Sequence, residues 1–297
     1  GGAGFIGSYV VDRLIELGHK VWVIDNLSTG RLTNVNNRAR FIRLDLAERG
    51  APKILNRLFK NADYIFHLAA IPRMQYSVEN PVECHHANVS GTLNLLEACA
   101  KNKIKKLIHS SSCSVYGPQE KMPIFEDAPP SLPGTPYALQ KLMQEQYINL
   151  YVNLYGLPAI MLRYFNVYGT KRQSEAGSYP NVLAAFSQQK KEHGKVFVTG
   201  DGTQRRDMVH VLDVVEANLA AMNSSFKNGE TFNIGTGTTV SINKAAGFFK
   251  CPIEYIPPRA GDAKCYLANI DKTKKLLRWE PRISFAEGIK GYLSGKI

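Results

Sequence analysis

The chain of 297 residues predicts an α/β fold, a doubly wound parallel sheet joined to a smaller mixed α/β domain. Three observations point there. Short, β-rich apolar runs alternate with helical stretches over the first half, which implies parallel strands covered on both faces. A glycine-rich turn, "GGAGFIG", opens directly into a helical pattern. An acidic residue, Asp25, stands 18 residues beyond Gly7, at the end of the next apolar run.

The glycine turn comes first. Gly2, Gly4 and Gly7 satisfy G-x-G-x-x-G, while Gly1, Gly4 and Gly7 satisfy G-x-x-G-x-x-G. Either spacing lets the backbone approach a pyrophosphate and aims helix N-terminal amides at it. A purely structural turn uses the same residues. A helix is expected near Gly7–Gly18, with Ile6, Val10, Leu14 and Leu17 on its apolar stripe. The run "VWVI" (Val21–Ile24) then ends at Asp25. A carboxylate there accepts ribose hydroxyls and repels a 2′-phosphate, which favours NAD over NADP. Arg31, close in sequence, works against that preference.

"FIRL" (Phe41–Leu44) ends at Asp45, which either meets the adenine end of a nucleotide or caps the strand. "YIFHLAA" (Tyr64–Ala70), "LIHSSS" (Leu107–Ser112) and "AIMLRYFN" (Ala159–Asn166) supply further strands. Helices are expected over Pro81–Asn102 and Pro136–Tyr155. In such a sheet, ligands bind at the carboxyl ends of the strands. A strand normally precedes the glycine turn. Its buried side chains are worth about 1.5–3 kcal/mol each, against a domain stability of roughly 5–15 kcal/mol. The functional protein is therefore expected to carry further residues before Gly1.

The first domain is expected over residues 1–168 and the second over 169–297, with segments near 200–220 returning to the first. "VFVTGDG", "TFNIGTG" and "IEYIPPRAGD" read as short strands of the second part, and "YPNVLAAFSQQKK" and "VLDVVEANLAAM" as helices. The helix near Ala245–Lys250 looks short, as if residues were missing around 245–252.

A hydrophobic content of 44% is ample for a real core. No run of 18 apolar residues suggests a membrane span, and the opening does not read as a signal peptide. Cys84, Cys99, Cys113, Cys251 and Cys265 form no C-x-x-C pair. They predict a reduced, cytoplasmic setting and no metal site. The net charge of +12 fits a basic surface or attraction of an anionic ligand. The basic runs "KNKIKK" and "KTKKLLR" lack interleaved aromatics, so no nucleic-acid partner is expected.

The catalytic signal lies in "TPYALQKLM", where Tyr137 and Lys141 are four residues apart and share a helix face. Thr135 and Pro136 read as the cap and first residue of that helix. A phenol with a pKa near 10 is a poor base at pH 7, and a neighbouring ammonium favours its ionised form. The pair alone also fits an ordinary surface helix. Ser112, at the end of the strand in "SSSCSVYG", lies 25 residues earlier. A Ser-Tyr-Lys trio there suits removal of a hydroxyl proton while hydride leaves the same carbon.

Together these stretches identify the chain as resembling the extended short-chain dehydrogenase/reductase family. It is most similar to the NAD-dependent nucleotide-sugar epimerases of the UDP-glucose 4-epimerase type. "GGAGFIG", Asp25-Asn26, "HLAA", "ANVSGTLNLLEA", "SSSCSVYG", "PYALQK", "LRYFNVYG", "GDGTQRRDMVHVLD" and "PPRAGD" carry the likeness, in family order, over nearly the whole chain.

The resemblance implies a Rossmann-type fold and roles for individual residues. Tyr137 would be the acid/base, Lys141 would bind the nicotinamide ribose and depress the tyrosine's pKa, and Ser112 would hold the sugar hydroxyl. Gly1, Gly4, Phe5, Ile6, Gly7, Asp25, Asn26, Asp45, Leu46, Leu68, Ala69, Asn88, Ser110 and Tyr164 would join Tyr137 and Lys141 around NAD. Asn166, Asn181, Arg206, Arg259, Asp262 and Tyr266 would join Ser112 around a UDP-sugar. Two arginines facing a diphosphate make chemical sense, although each alone also fits a surface ion pair. A bulky residue at Tyr266 implies preference for the sugar without an N-acetyl group, unless it is simply a packing residue.

The implied reaction is 4-epimerisation through a transient 4-keto sugar, with reversible hydride transfer to tightly bound NAD. The related 4,6-dehydratases place Thr-Asp-Glu where this chain has Ser112-Cys113-Ser114, and elimination needs those acids. Other sugar-nucleotide enzymes, or a non-catalytic nucleotide-binding protein, are the remaining alternatives. The family also implies a homodimer through the helices at Pro81–Asn102 and Pro136–Tyr155.

Overall fold

The glycine turn feeds helix α1 (Phe5–Glu16), which starts two residues earlier than expected because Gly4, in extended conformation, is its N-cap. Val10, Val11, Leu14 and Ile15 are its buried stripe. The computed structural model describes residues 1–169, 172, 181–258 and 263–295. After α1 come β1 (Trp22–Asp25), β2 (Arg40–Arg43), α2 (Ala51–Phe59) and β3 (Tyr64–His67). The single helix expected over Pro81–Asn102 is three pieces. A short α3 (Met74–Glu79) leads to α4 (Pro81–His85), which passes through a π-helical turn at His86–Ser90 into α5 (Gly91–Ala100). Then follow β4 (Lys106–Ser112), α6 (Pro136–Tyr155) and β5 (Ala159–Tyr164). Thr135 caps α6 by accepting the Ala138 amide, and Gly156 ends it with a φ of 63°.

Parallel pairing unites β1 with β2, and separately β3, β4 and β5 in that order. Gly1 lies against Leu68 and Ala69 just beyond β3, while the Ala3 amide donates to Asp25 at the end of β1 (3.0 Å). The turn therefore sits between the carboxyl ends of β1 and β3. The strand expected over Ala159–Asn166 breaks at Phe165. There β6 (Asn166–Tyr168) leaves the sheet and pairs with β9 (Met208–His210).

The remaining elements are α7 (Val182–His193), β7 (Val196–Thr199), β8 (Arg205–Arg206), α8 (Val211–Asn223) and β10 (Asn228–Ile234). They continue with β11 (Val240–Ser241), α9 (Ile242–Gly247), β12 (Ile253–Ile256), β13 (Cys265–Tyr266), α10 (Asp271–Leu277) and α11 (Phe285–Ser294). β7 pairs with β12, and β8 lies between β11 and β13. The stretch "TFNI", read as a strand of the second part, instead pairs in parallel with Met161–Tyr164 and extends the first sheet. Its Phe232 and Ile234 share one core with Val10, Leu14, Ile160 and Leu162. Val214, Val215, Leu219 and Met222 of α8 close the same core. The helix expected near Ala245–Lys250 begins at Ile242 and ends at Gly247. Among the described residues no helix is long and apolar enough to cross a membrane.

Three histidines are buried in this frame. His67 and His109 are direct partners in the β3–β4 ladder, with ring centroids 5.3 Å apart. Burial lowers His67 to about 3 and His210 to about 4, and pushes His109 well below the ordinary range. Below pH 6.5 the unfolded chain takes up protons that these rings refuse, so stability falls with pH across that window. Asp207, raised to about 6 by burial, opposes this by protonating first in the folded state. Asp213, also raised by burial, acts in the same direction as Asp207, so three groups against two set the net sign. We expect the urea unfolding midpoint to drop between pH 7 and pH 4.5, and His109→Leu to flatten that drop. A midpoint that does not change with pH in the parent protein contradicts this balance.

Candidate active site

A cleft of about 1110 Å³ opens at the carboxyl ends of β1, β3, β4 and β5. Gly1, Gly4, Phe5, Ile6 and Gly7 line one end of it. A side chain on Gly7 would overlap the Gly1 carbonyl oxygen, and one on Gly1 would overlap the Ala69 amide. Gly2 instead faces inward against Val23, so the working register is Gly1-Gly4-Gly7. The turn exposes the first amides of α1, a natural seat for a pyrophosphate.

Asp25 is held at the mouth of β1. Its carboxylate accepts the amides of Ala3 (3.0 Å) and Leu27 (2.8 Å). Asn26 donates to Asp45 (2.8 Å), and both line the cleft beside Leu46. Leu68 and Ala69 line it from the end of β3. Asn88 does not. It is fully buried, and its amide group bonds Ile71 at both N and O and Gln140 (2.8 Å). Its hydrogen bonds are spent holding Ile71, which does line the cleft. A glycine cradle followed by a carboxylate at the end of β1 fits a dinucleotide with free ribose hydroxyls.

The middle of the cleft belongs to β4 and α6. Tyr137 sits in the first turn of α6, beside Ser112 at the end of β4. Burial pushes Tyr137 up to about 12, with Ser112 pulling the other way. One turn on, Lys141 Nζ donates to the Ser110 carbonyl (2.8 Å). Burial lowers Lys141 to about 8, and Glu145 works against that. In the ligand-free protein the Lys141 ammonium is thus engaged by a carbonyl, and burial dominates the state of Tyr137. The Ser110 hydroxyl meets Tyr164 (2.9 Å), which also bonds Asn218. Ser110, Ser112, Tyr137, Lys141 and Tyr164 all line the cleft.

The far wall is built by the later elements. Asn166 donates to the Asp207 carbonyl from both its backbone and its side chain (3.0 and 3.1 Å). Arg206 donates to the carbonyl of Ala263 (2.8 Å), with its guanidinium 5.7 Å from the centre of the Tyr266 ring. Tyr266 donates to the Gly117 carbonyl (3.1 Å). Asn181 caps α7 by accepting the Ala184 amide (3.1 Å). All four line the cleft. Arg259 and Asp262 lie outside the described residues.

Sequence reasoning passed over Arg73, Gln188 and Gln189, which also line the cleft, and Asp207, which supports it. The Asp207 carboxylate accepts the amides of Thr236, Gly237 and Ala268 and the Thr236 hydroxyl. Its signal was present in "RRDMVH", but nothing in a lone Asp tells a tether from a surface charge.

A dinucleotide cradle joined to the buried Tyr137 and Lys141 and the half-buried Ser112 marks an enzyme of the short-chain dehydrogenase/reductase class. Residues 1–235 match the model of the NAD dependent epimerase/dehydratase family, and the chain belongs to that family. It is 40% identical to a putative UDP-glucose 4-epimerase of Methanocaldococcus jannaschii, over 98% of this chain and 94% of that one. A UDP-glucose 4-epimerase from Thermotoga maritima, solved with UDP-glucose, superposes with a TM-score of 0.93 at 39% identity, covering 100% of this chain and 96% of that one. A UDP-N-acetylglucosamine 4-epimerase from Methanobrevibacter ruminantium, solved with UDP-N-acetylmuramic acid, gives 0.91 at 35% identity, covering 99% and 96%. The chain is thus an NAD-dependent enzyme of the UDP-glucose 4-epimerase-like kind.

The close approach at Gly7 makes the cofactor cradle intolerant of any side chain. Gly7→Ala is expected to lower the NAD recovered from the purified, denatured protein at least severalfold. Full NAD occupancy in that variant contradicts the close approach assigned to Gly7.

Proposed function

We propose that this enzyme epimerises UDP-sugars at C4, interconverting UDP-glucose and UDP-galactose through a transient 4-keto sugar. The observation that carries the reading is the placing of Tyr137 and Ser112 together in the cleft, with Lys141 bonded to β4 one turn further along α6. Gly1, Gly4, Gly7, Asp25 and Lys141 would hold NAD. When bound, NAD supplies the acceptor and then the donor of the C4 hydride. Tyr137 takes the proton from the sugar O4 and later returns it, and Ser112 orients that hydroxyl. Ligand binding must bring Tyr137 below the value of about 12 that burial sets. Lys141, cationic below about pH 8, contributes a charge of the required sign.

Arg206 faces the cleft as a partner for a diphosphate. Neither Cys113 nor Ser114, the residues after Ser112, carries the carboxylate that dehydration requires. Tyr266, tethered to Gly117, narrows the sugar end and favours the sugar without an N-acetyl group. Val82 on α4 and Leu139, Leu150 and Leu154 on α6 are exposed, which supports pairing of two chains through these helices.

Tyr137→Phe is expected to lower turnover of UDP-galactose by about 10²–10⁴-fold while NAD content stays unchanged. Turnover near the parent rate contradicts the assignment. UDP-galactose is expected to be used in preference to UDP-N-acetylgalactosamine, as read by paired kcat/KM values. A clear preference for the acetylated sugar removes Tyr266 as the limiting wall.

A further inference from the structure

Three residues of α6, each one turn apart, face three consecutive serines of β4. Tyr137 meets Ser112, and Lys141 meets the Ser110 carbonyl (2.8 Å). Glu145 accepts from the Ser111 hydroxyl (2.5 Å). Glu145 is 3% exposed, and Arg163 of β5 forks onto it, Nε to one carboxylate oxygen (2.9 Å) and Nη2 to the other (2.7 Å). Arg163 is itself fixed by the Glu126 carbonyl (3.0 Å) and by the Tyr116 ring, 4.6 Å from its guanidinium. No catalytic step uses this buried ion pair. Burying two charges is costly, and such a pair contributes little net stability compared with an apolar pair of the same volume.

We propose that Glu145, held by Arg163, is a positioning residue of the reaction, setting the register of α6 on β4 and keeping Lys141 in its cationic form. The proposal rests on the reading of Tyr137 and Lys141 given above. Both parts follow from geometry. The Ser111 bond lies between the two strand residues that the catalytic side chains use, so sliding α6 breaks the Ser110 and Ser111 bonds together and carries Tyr137 away from Ser112. Glu145 also shares a helix face with Lys141, four residues away. The groups facing Lys141 from other elements are Ser110 and His109 of β4 and His67 of β3. His67 and His109 repel its charge, but burial keeps both neutral above about pH 6. Glu145 is therefore the one anion acting on Lys141 among the described residues.

Glu145→Gln keeps an acceptor for Ser111 and removes the charge. It leaves Arg163 unbalanced, so the double variant Glu145→Gln/Arg163→Met is measured beside it. The decisive readout is the ionisation of Lys141 in the ligand-free protein, from competitive acetylation across pH 6–11 quantified by mass spectrometry. Glu145→Gln is expected to lower its midpoint by about one unit, and the double variant, which also removes the Arg163 charge, by less. Both are also expected to lower kcat for UDP-galactose about tenfold or more, with KM within about twofold. A midpoint unchanged in both variants, or parent kcat restored in the double variant, overturns the proposal. Absence of UDP-galactose turnover in the parent protein would instead defeat the functional reading, and the acetylation midpoint would still decide the role of Glu145.

Discussion

The hydrogen bond from Lys141 to the Ser110 carbonyl is the contact on which the rest of the site depends. A buried ammonium without a partner is costly, so this bond commits one turn of α6 to one residue of β4. Tyr137 then falls beside Ser112, and the glycine turn and Asp25 fall along the same sheet edge. The core beneath is built to keep that alignment. Ile108 of β4 and Ile160 and Leu162 of β5 are wholly buried, and β5 is buried along its whole length. An interior packed like a crystal resists a shift of even one methylene, which keeps reacting groups in place without substrate.

The opposite wall has a different anchor. Asp207 accepts four hydrogen bonds through its side chain, and its backbone binds Asn166 and Tyr266. Arg206 is its chain neighbour. One buried residue thereby links three cleft residues from distant parts of the chain through its backbone, while its carboxylate ties that backbone to Thr236, Gly237 and Ala268. The two walls meet at β5 and β6, where the chain leaves the first sheet after Tyr164 and joins β9. Ser112 and Tyr137 line the cleft on one side and Asn166 and Tyr266 on the other, the two faces between which we propose the sugar turns.

Much of this was legible in the sequence, for physical reasons. Alternating apolar runs and helix caps are local signals, so β1, β2, β4 and α6 lie within one residue of their expected bounds, while β3 ends three residues early at His67 and β5 two residues early at Tyr164. The glycines, Asp25 and the Ser112-Tyr137-Lys141 spacing are local as well. What stayed hidden was partnership. "TFNI" is an apolar run whose sheet is decided by the far-off Met161–Tyr164, not by its own residues. Asn88 sits in a motif stretch, yet whether it faces ligand or Ile71 depends on the π-helical turn around it. Glu145 and Arg163 read as an ordinary helix acid and strand base until the fold brings them to 2.7 Å.

The central claim is that hydride leaves C4 of a UDP-sugar and returns to the same carbon within one closed site. Incubation of UDP-galactose with the protein in D₂O, followed by proton NMR, tests it most directly. The account predicts conversion to UDP-glucose with the hydrogen at C4 retained as protium, and no deuterium entering the ring. Deuterium at C4 or C5, or a product that has lost the 6-hydroxyl, would contradict it.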